Sequence, residues 1–162
     1  MRALVVLFAL SIGLATGARA ETGAALHIGI DVIKPALGLP NLEVEVQIDK
    51  NLTAHVFGEM KAFDDPFDVL GDHPAAYARA GLRYFAWTFQ DTTRATGLFG
   101  GVGAGAMMAT LDERPSAVVN GEVGYKLVLF DTLQLAPRVY ANVPLDGKEP
   151  TPGFELMLGV VF

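Results

Sequence analysis

The sequence predicts an all-β protein: an eight-stranded antiparallel up-and-down transmembrane β-barrel, preceded by a cleavable signal peptide. Three observations predict it. Eight stretches alternate apolar and polar residues with a period of two, and none sustains a 3.6-residue pattern. Within each stretch every charge falls on one parity, leaving the other free of charge, as a lipid-facing surface requires. Residues 1–20 carry an early charge at Arg2, a mainly apolar run from Ala3 to Leu14, and Ala18-Arg19-Ala20 as a small-residue cleavage site, the layout of a secretory signal.

That apolar run is too short for a spanning helix, which needs roughly 20 residues. Setting residues 1–20 aside leaves 21–162 as one barrel domain, in which ten basic residues face 18 acidic ones, a net charge near −8. An acidic balance argues against nucleic acid as a partner, because phosphate needs a basic surface. The chain has no cysteine. An exported protein without disulfides suits a closed barrel, whose backbone bonds form a ring.

The expected strands cover about 24–33, 41–49, 52–63, 75–87, 96–110, 116–129, 133–143 and 153–162. In the first, Leu26, Ile28, Ile30 and Val32 oppose His27, Gly29 and Asp31. Leu42, Val44, Val46 and Ile48 oppose Glu43, Glu45 and Gln47 in the second, and Ala54, Val56 and Met60 oppose His55, Phe57, Glu59 and Lys61 in the third. The fourth sets Ala80, Leu82 and Tyr84 against Arg79, Gly81, Arg83 and Phe85. The glycine-rich fifth sets Leu98, Val102, Ala104 and Ala106 against Gly101, Gly103 and Gly105. Val119, Val123, Tyr125 and Leu127 oppose Asn120, Glu122 and Lys126 in the sixth. Leu133, Leu135 and Val139 oppose Gln134, Arg138 and Tyr140 in the seventh. The last places Phe154, Leu156, Leu158, Val160 and Phe162 on one face, with Glu155 and Met157 on the other.

Asp49-Lys50-Asn51 and Asp131-Thr132 read as tight turns. The links at 34–40, 64–74, 111–115 and 144–152 carry Pro or Asp and fall at the opposite end, the extracellular one if the chain enters from the periplasm. Pro137 conflicts with a central strand, which cannot spare a ladder N–H, so either a bulge or a later strand start is expected there.

Alternation alone does not say which face points inward, since a soluble ligand-binding barrel has the same period with the faces reversed. The export signal, the charge-free apolar face and the terminal stripe favour lipid. The stripe from Phe154 to Phe162 resembles the last strand of bacterial outer-membrane barrels, the segment read by the barrel-assembly machinery. Tyr84, Tyr125, Phe154, Phe162 and Trp87 resemble an aromatic girdle. Over nearly all of residues 21–162 the pattern is similar to the small eight-stranded outer-membrane barrels, the class of the OmpA transmembrane domain, OmpX and OmpW. The resemblance implies a bacterial outer-membrane address and outer-membrane lipids as partners.

An eight-stranded barrel has an interior just wide enough for side chains to fill. Acids and bases packed there must pair, because an unpaired buried ion costs several kcal/mol. Adjacency pairs Glu59 with Arg79 or Arg83, and Glu122 with Arg138. The expected result is a lumen plugged by ion pairs and a structural or surface membrane role. The alternative is a narrow conduit or binder for a small or hydrophobic solute. A lipid-modifying enzyme is a third reading, but His27 and His55 share the inward parity, neither has a Ser two residues away, and His55 and Glu59 lie about 13 Å apart along a strand. No catalytic residue, cofactor site or metal site is assigned. The acid-rich loop from Asp64 to Pro74 lacks the spacing of a calcium loop, and Gly100 to Gly105 lacks the βαβ context of a dinucleotide site.

Overall fold

The computed structural model describes residues 25–37, 39–61, 75–87, 95–108 and 114–162. Residues 1–20 and the loop 64–74 lie outside them. Eight strands alternate in direction: β1 (Leu26–Asp31), β2 (Asn41–Asp49), β3 (Leu52–Met60), β4 (Ala76–Trp87), β5 (Gly97–Met108), β6 (Ser116–Leu129), β7 (Leu133–Pro144) and β8 (Thr151–Val161). Each pairs antiparallel with its neighbours in sequence, and β1 pairs with β8, so the sheet is a closed barrel. The seam is completed by Phe162 N–H donating to the Leu26 carbonyl at 2.9 Å. The only other regular element among the described residues is a 3₁₀ turn at Lys34–Leu37.

With no second sheet or α-helix among the described residues to cover it, one parity of this period-two pattern is buried by closing the sheet on itself. The charged parity lies inside. His27, Glu43, Glu45, His55, Glu59, Arg79, Arg83, Glu122, Lys126, Arg138 and Glu155 are all buried. The apolar parity lies outside, where Ile28, Leu82, Val102, Val119, Val123, Val139 and Phe154 are exposed. Apart from Asp49, exposed past the bulge at the turn end of β2, no described outward position within the eight strands carries a charge.

Glycine follows the same division. At Gly100 and Gly121, on the outer parity, an added Cβ would meet nothing within 4 Å. At Gly101, on the inner parity, it would lie 2.8 Å from Glu122 Oε1 and 3.1 Å from the Leu82 carbonyl oxygen. Inner glycines on β5 thus leave room for the long charged side chains of the other strands.

Pro137 resolves differently from either expectation. β7 runs straight through it, in unbroken register with β8, where Pro137 faces Leu156. On the β6 side the register also holds, but the ladder skips Tyr125 and Lys126 opposite Pro137 and Ala136. The interruption falls beside the residue that has no N–H to give. The β6–β7 turn sits one residue earlier than expected. Phe130 and Asp131 both adopt positive φ, 52° and 56°, and Thr132 N–H closes onto the Leu129 carbonyl at 3.1 Å. This is the hairpin geometry that matches strand twist, built without the glycine that usually relieves it.

Candidate functional site

The barrel interior is the candidate site. The end bearing the 49–52 and 129–133 turns is called the turn end, and the one bearing the 31–41 and 144–151 connections the loop end.

Arg83 is the hub. It projects from β4 and reaches across the lumen rather than to an adjacent strand. Its Nη1 and Nη2 donate to Glu43 Oε1 and Oε2 at 2.7 and 2.8 Å, and its Nε donates to Glu122 Oε1 at 2.5 Å. Nη1 also donates to Glu45. One guanidinium therefore ties β2, β4 and β6 together in the paired-fork arrangement that suits Arg and carboxylate. Glu45 in turn accepts from Lys126.

Arg138 forms the second node. It stands opposite Glu155 in the β7–β8 register and donates to it through Nε at 2.5 Å; its Nη1 reaches Glu43 at 2.5 Å. Glu155 also takes Arg79 Nη2 at 3.1 Å. At the loop end, Lys34 comes in from the 3₁₀ turn and donates to Glu59 at 2.5 Å, to Glu155 at 2.7 Å and to the Tyr140 hydroxyl at 3.3 Å. Burial opposes the Lys34 charge, but Glu155 and Glu59 outweigh it and hold the ammonium above the ordinary lysine range.

Aromatic rings fill the space between the charges. Phe57, fully buried, has the Arg79 guanidinium 4.7 Å from its centroid, Arg138 at 5.6 Å and the Lys34 ammonium at 5.4 Å. Phe85 and Phe99, 5.3 Å apart, close the turn end with Ala95. Lys126 and Arg83 lie over these two rings, at 4.9 and 5.3 Å.

All five expected pairing residues, Glu59, Arg79, Arg83, Glu122 and Arg138, lie in this interior. The strongest partners differ from those that adjacency suggests. Glu59 meets Lys34 at 2.5 Å. Glu122 meets Arg83 at 2.5 Å, and its contact with Arg138 is longer, at 3.6 Å. In a lumen this narrow the opposite wall is within reach of an Arg side chain, so adjacency does not rank the pairs. Lys61, expected inward, is half-buried beyond the end of β3. Lys34 does what Lys61 was expected to do. It sits in a connection, where strand periodicity carries no information about facing. The stripe of Phe154, Leu156, Leu158, Val160 and Phe162 faces outward.

Among the described residues, six buried acids (Asp31, Glu43, Glu45, Glu59, Glu122, Glu155) face five buried bases (Lys34, Arg79, Arg83, Lys126, Arg138). This array runs across the lumen from one wall to another. His55 Nε2 lies 3.7 Å from Glu122 Oε1. No family model, curated protein or solved structure matches the chain.

Proposed function

We propose that the protein is an integral outer-membrane β-barrel with a structural or surface role, its lumen closed by the interior ion pairs. One observation carries this reading: the outer parity of all eight strands is free of charge and leaves bulky apolar side chains exposed around the barrel. A soluble monomer rarely exposes a contiguous apolar patch larger than a few hundred Å². In lipid the same surface is the favourable one, and the closed ring leaves no backbone group unpaired at a sheet edge. The signal-like residues 1–20 and the terminal apolar stripe support an outer-membrane address reached through the barrel-assembly machinery.

Closed barrels resist SDS until boiled. The purified protein should therefore fold in detergent, migrate differently heated and unheated, and give no steady conductance in planar bilayers. A protein that stays in aqueous solution and migrates identically in both states would overturn the membrane reading. A stable current would replace the plug with a conduit.

A further inference from the structure

We propose that the cup formed by Phe57, Glu59, Tyr140 and Glu155 at the loop end is a binding site for the primary ammonium group of an external alkylamine, and that Lys34 is its displaceable internal occupant. The inference rests on the geometry of the cup and not on the membrane reading.

The cup already holds an ammonium. Lys34 Nζ has three oxygen acceptors, Glu59 Oε2 at 2.5 Å, Glu155 Oε1 at 2.7 Å and the Tyr140 hydroxyl at 3.3 Å, enough for its three N–H groups. Phe57 and Tyr140 flank it, with centroids at 5.4 and 5.2 Å. Carboxylates with aromatic walls are the recognition chemistry of an organic cation.

The cup and its occupant come from different parts of the chain. Glu59 and Tyr140 stand on β3 and β7 with register partners on both sides, and Glu155 on β8 is paired with Arg138 of β7. Lys34 arrives on the β1–β2 connection, where Val32 and Ile33 are exposed and the turn is held by Asp31 Oδ1 accepting from Ile33 and Lys34 N–H. The described backbone hydrogen bonds of Lys34 run to Asp31 and Leu39, not to the wall. An alkylammonium entering from the loop end can offer the same head group on the same kind of stem.

One carboxylate oxygen at this end is also not taken up by Lys34. Asp31 Oδ2 is buried without a hydrogen-bond partner, on the inward parity of β1 facing Met157, one inward step from Glu155 on β8. The mouth therefore retains an unpaired acceptor even with Lys34 in place.

The test uses the full chain folded in detergent, with propylammonium chloride as the probe and thermal unfolding as the readout. Lys34→Ala should unfold earlier than wild type, and propylammonium should raise its midpoint to a plateau. Sodium chloride and tetramethylammonium chloride at equal ionic strength should not, since neither supplies N–H donors. Wild type should respond to the same probe only at concentrations about tenfold higher or more, because the probe must first displace Lys34. If Lys34→Ala does not fold alone, propylammonium in the refolding mixture should restore the folded species. Adding Glu59→Gln to Lys34→Ala should weaken the response. The proposal is overturned if propylammonium neither stabilises nor refolds Lys34→Ala, if sodium does as well, or if wild type shows no response or responds at the same concentration as the variant. None of these outcomes bears on whether the outer face meets lipid.

Discussion

The two faces of a single strand are specified in different ways. On β6 the outward Val119, Val123 and Leu129 are exposed, while the inward Asn120, Glu122 and Lys126 are buried. The outer face needs only to be apolar and uncharged, so one aliphatic side chain there serves as well as another. The inner face needs particular partners: Glu122 answers to Arg83, and Lys126 to Glu45. Composition sets the outside, whereas pairing geometry sets the inside. Substitutions of similar size should therefore have unequal effects on the two faces.

The largest difference is expected at Arg83. Arg83→Met leaves Glu43, Glu45 and Glu122 without their shared partner, and breaking a buried ion pair of this kind costs about 3–5 kcal/mol. Val123→Met on the outer face should stay within about 0.5 kcal/mol of wild type. Urea unfolding in lipid vesicles measures both, and equal effects would break the distinction between the faces.

Reversing the logic gives the next effect. Val123→Arg puts a charge on the apolar parity, which in a membrane barrel costs about 2–4 kcal/mol near the bilayer midplane. In a water-soluble barrel the same substitution would be close to neutral. Urea unfolding of the variant and wild type in vesicles reads this cost, and a neutral result would place Val123 in water rather than in lipid.

A pair of glycines separates the faces with a single methyl group. Gly101→Ala places its Cβ 2.8 Å from Glu122 Oε1 and 3.1 Å from the Leu82 carbonyl oxygen, and overpacking of this sort costs about 1–3 kcal/mol. Gly121→Ala meets nothing within 4 Å and should leave the unfolding midpoint unchanged.

The smallest effect lies beyond both faces. The Ser116 hydroxyl donates to Asp146 Oδ2 at 2.7 Å and holds that exposed carboxyl below the ordinary aspartate range. Because the folded value is depressed, the associated stability is present above the ordinary Asp value and is lost as pH falls through the folded one. Ser116→Ala should move the Asp146 titration upward in an NMR experiment without altering the fold.

The strands, their order and the parity of their charges were legible in the sequence because each rests on local alternation, which a two-residue period exposes directly. Arg83 and Glu43 could both be read as inward-facing, yet not as partners, since β2 and β4 are separated by β3 and the contact crosses the lumen. Lys34 was not legible at all: it enters the barrel from a connection, where side-chain facing follows no period. Pro137 misled for a related reason. Its missing N–H falls where the β6 ladder is interrupted while the register continues on both sides, a compromise that only the paired strands reveal.

The central claim is that the apolar parity faces lipid and the charged parity faces a closed interior. The chain has no cysteine, so single labels can be placed without background. Fluorophores attached at Val119→Cys, Asn120→Cys, Gly121→Cys and Val123→Cys, with the protein in vesicles, are read for quenching by lipids that carry a quencher on their acyl chains. The account predicts strong quenching at positions 119, 121 and 123 and little at 120. Equal quenching at all four, or none at the odd-numbered positions, would contradict it.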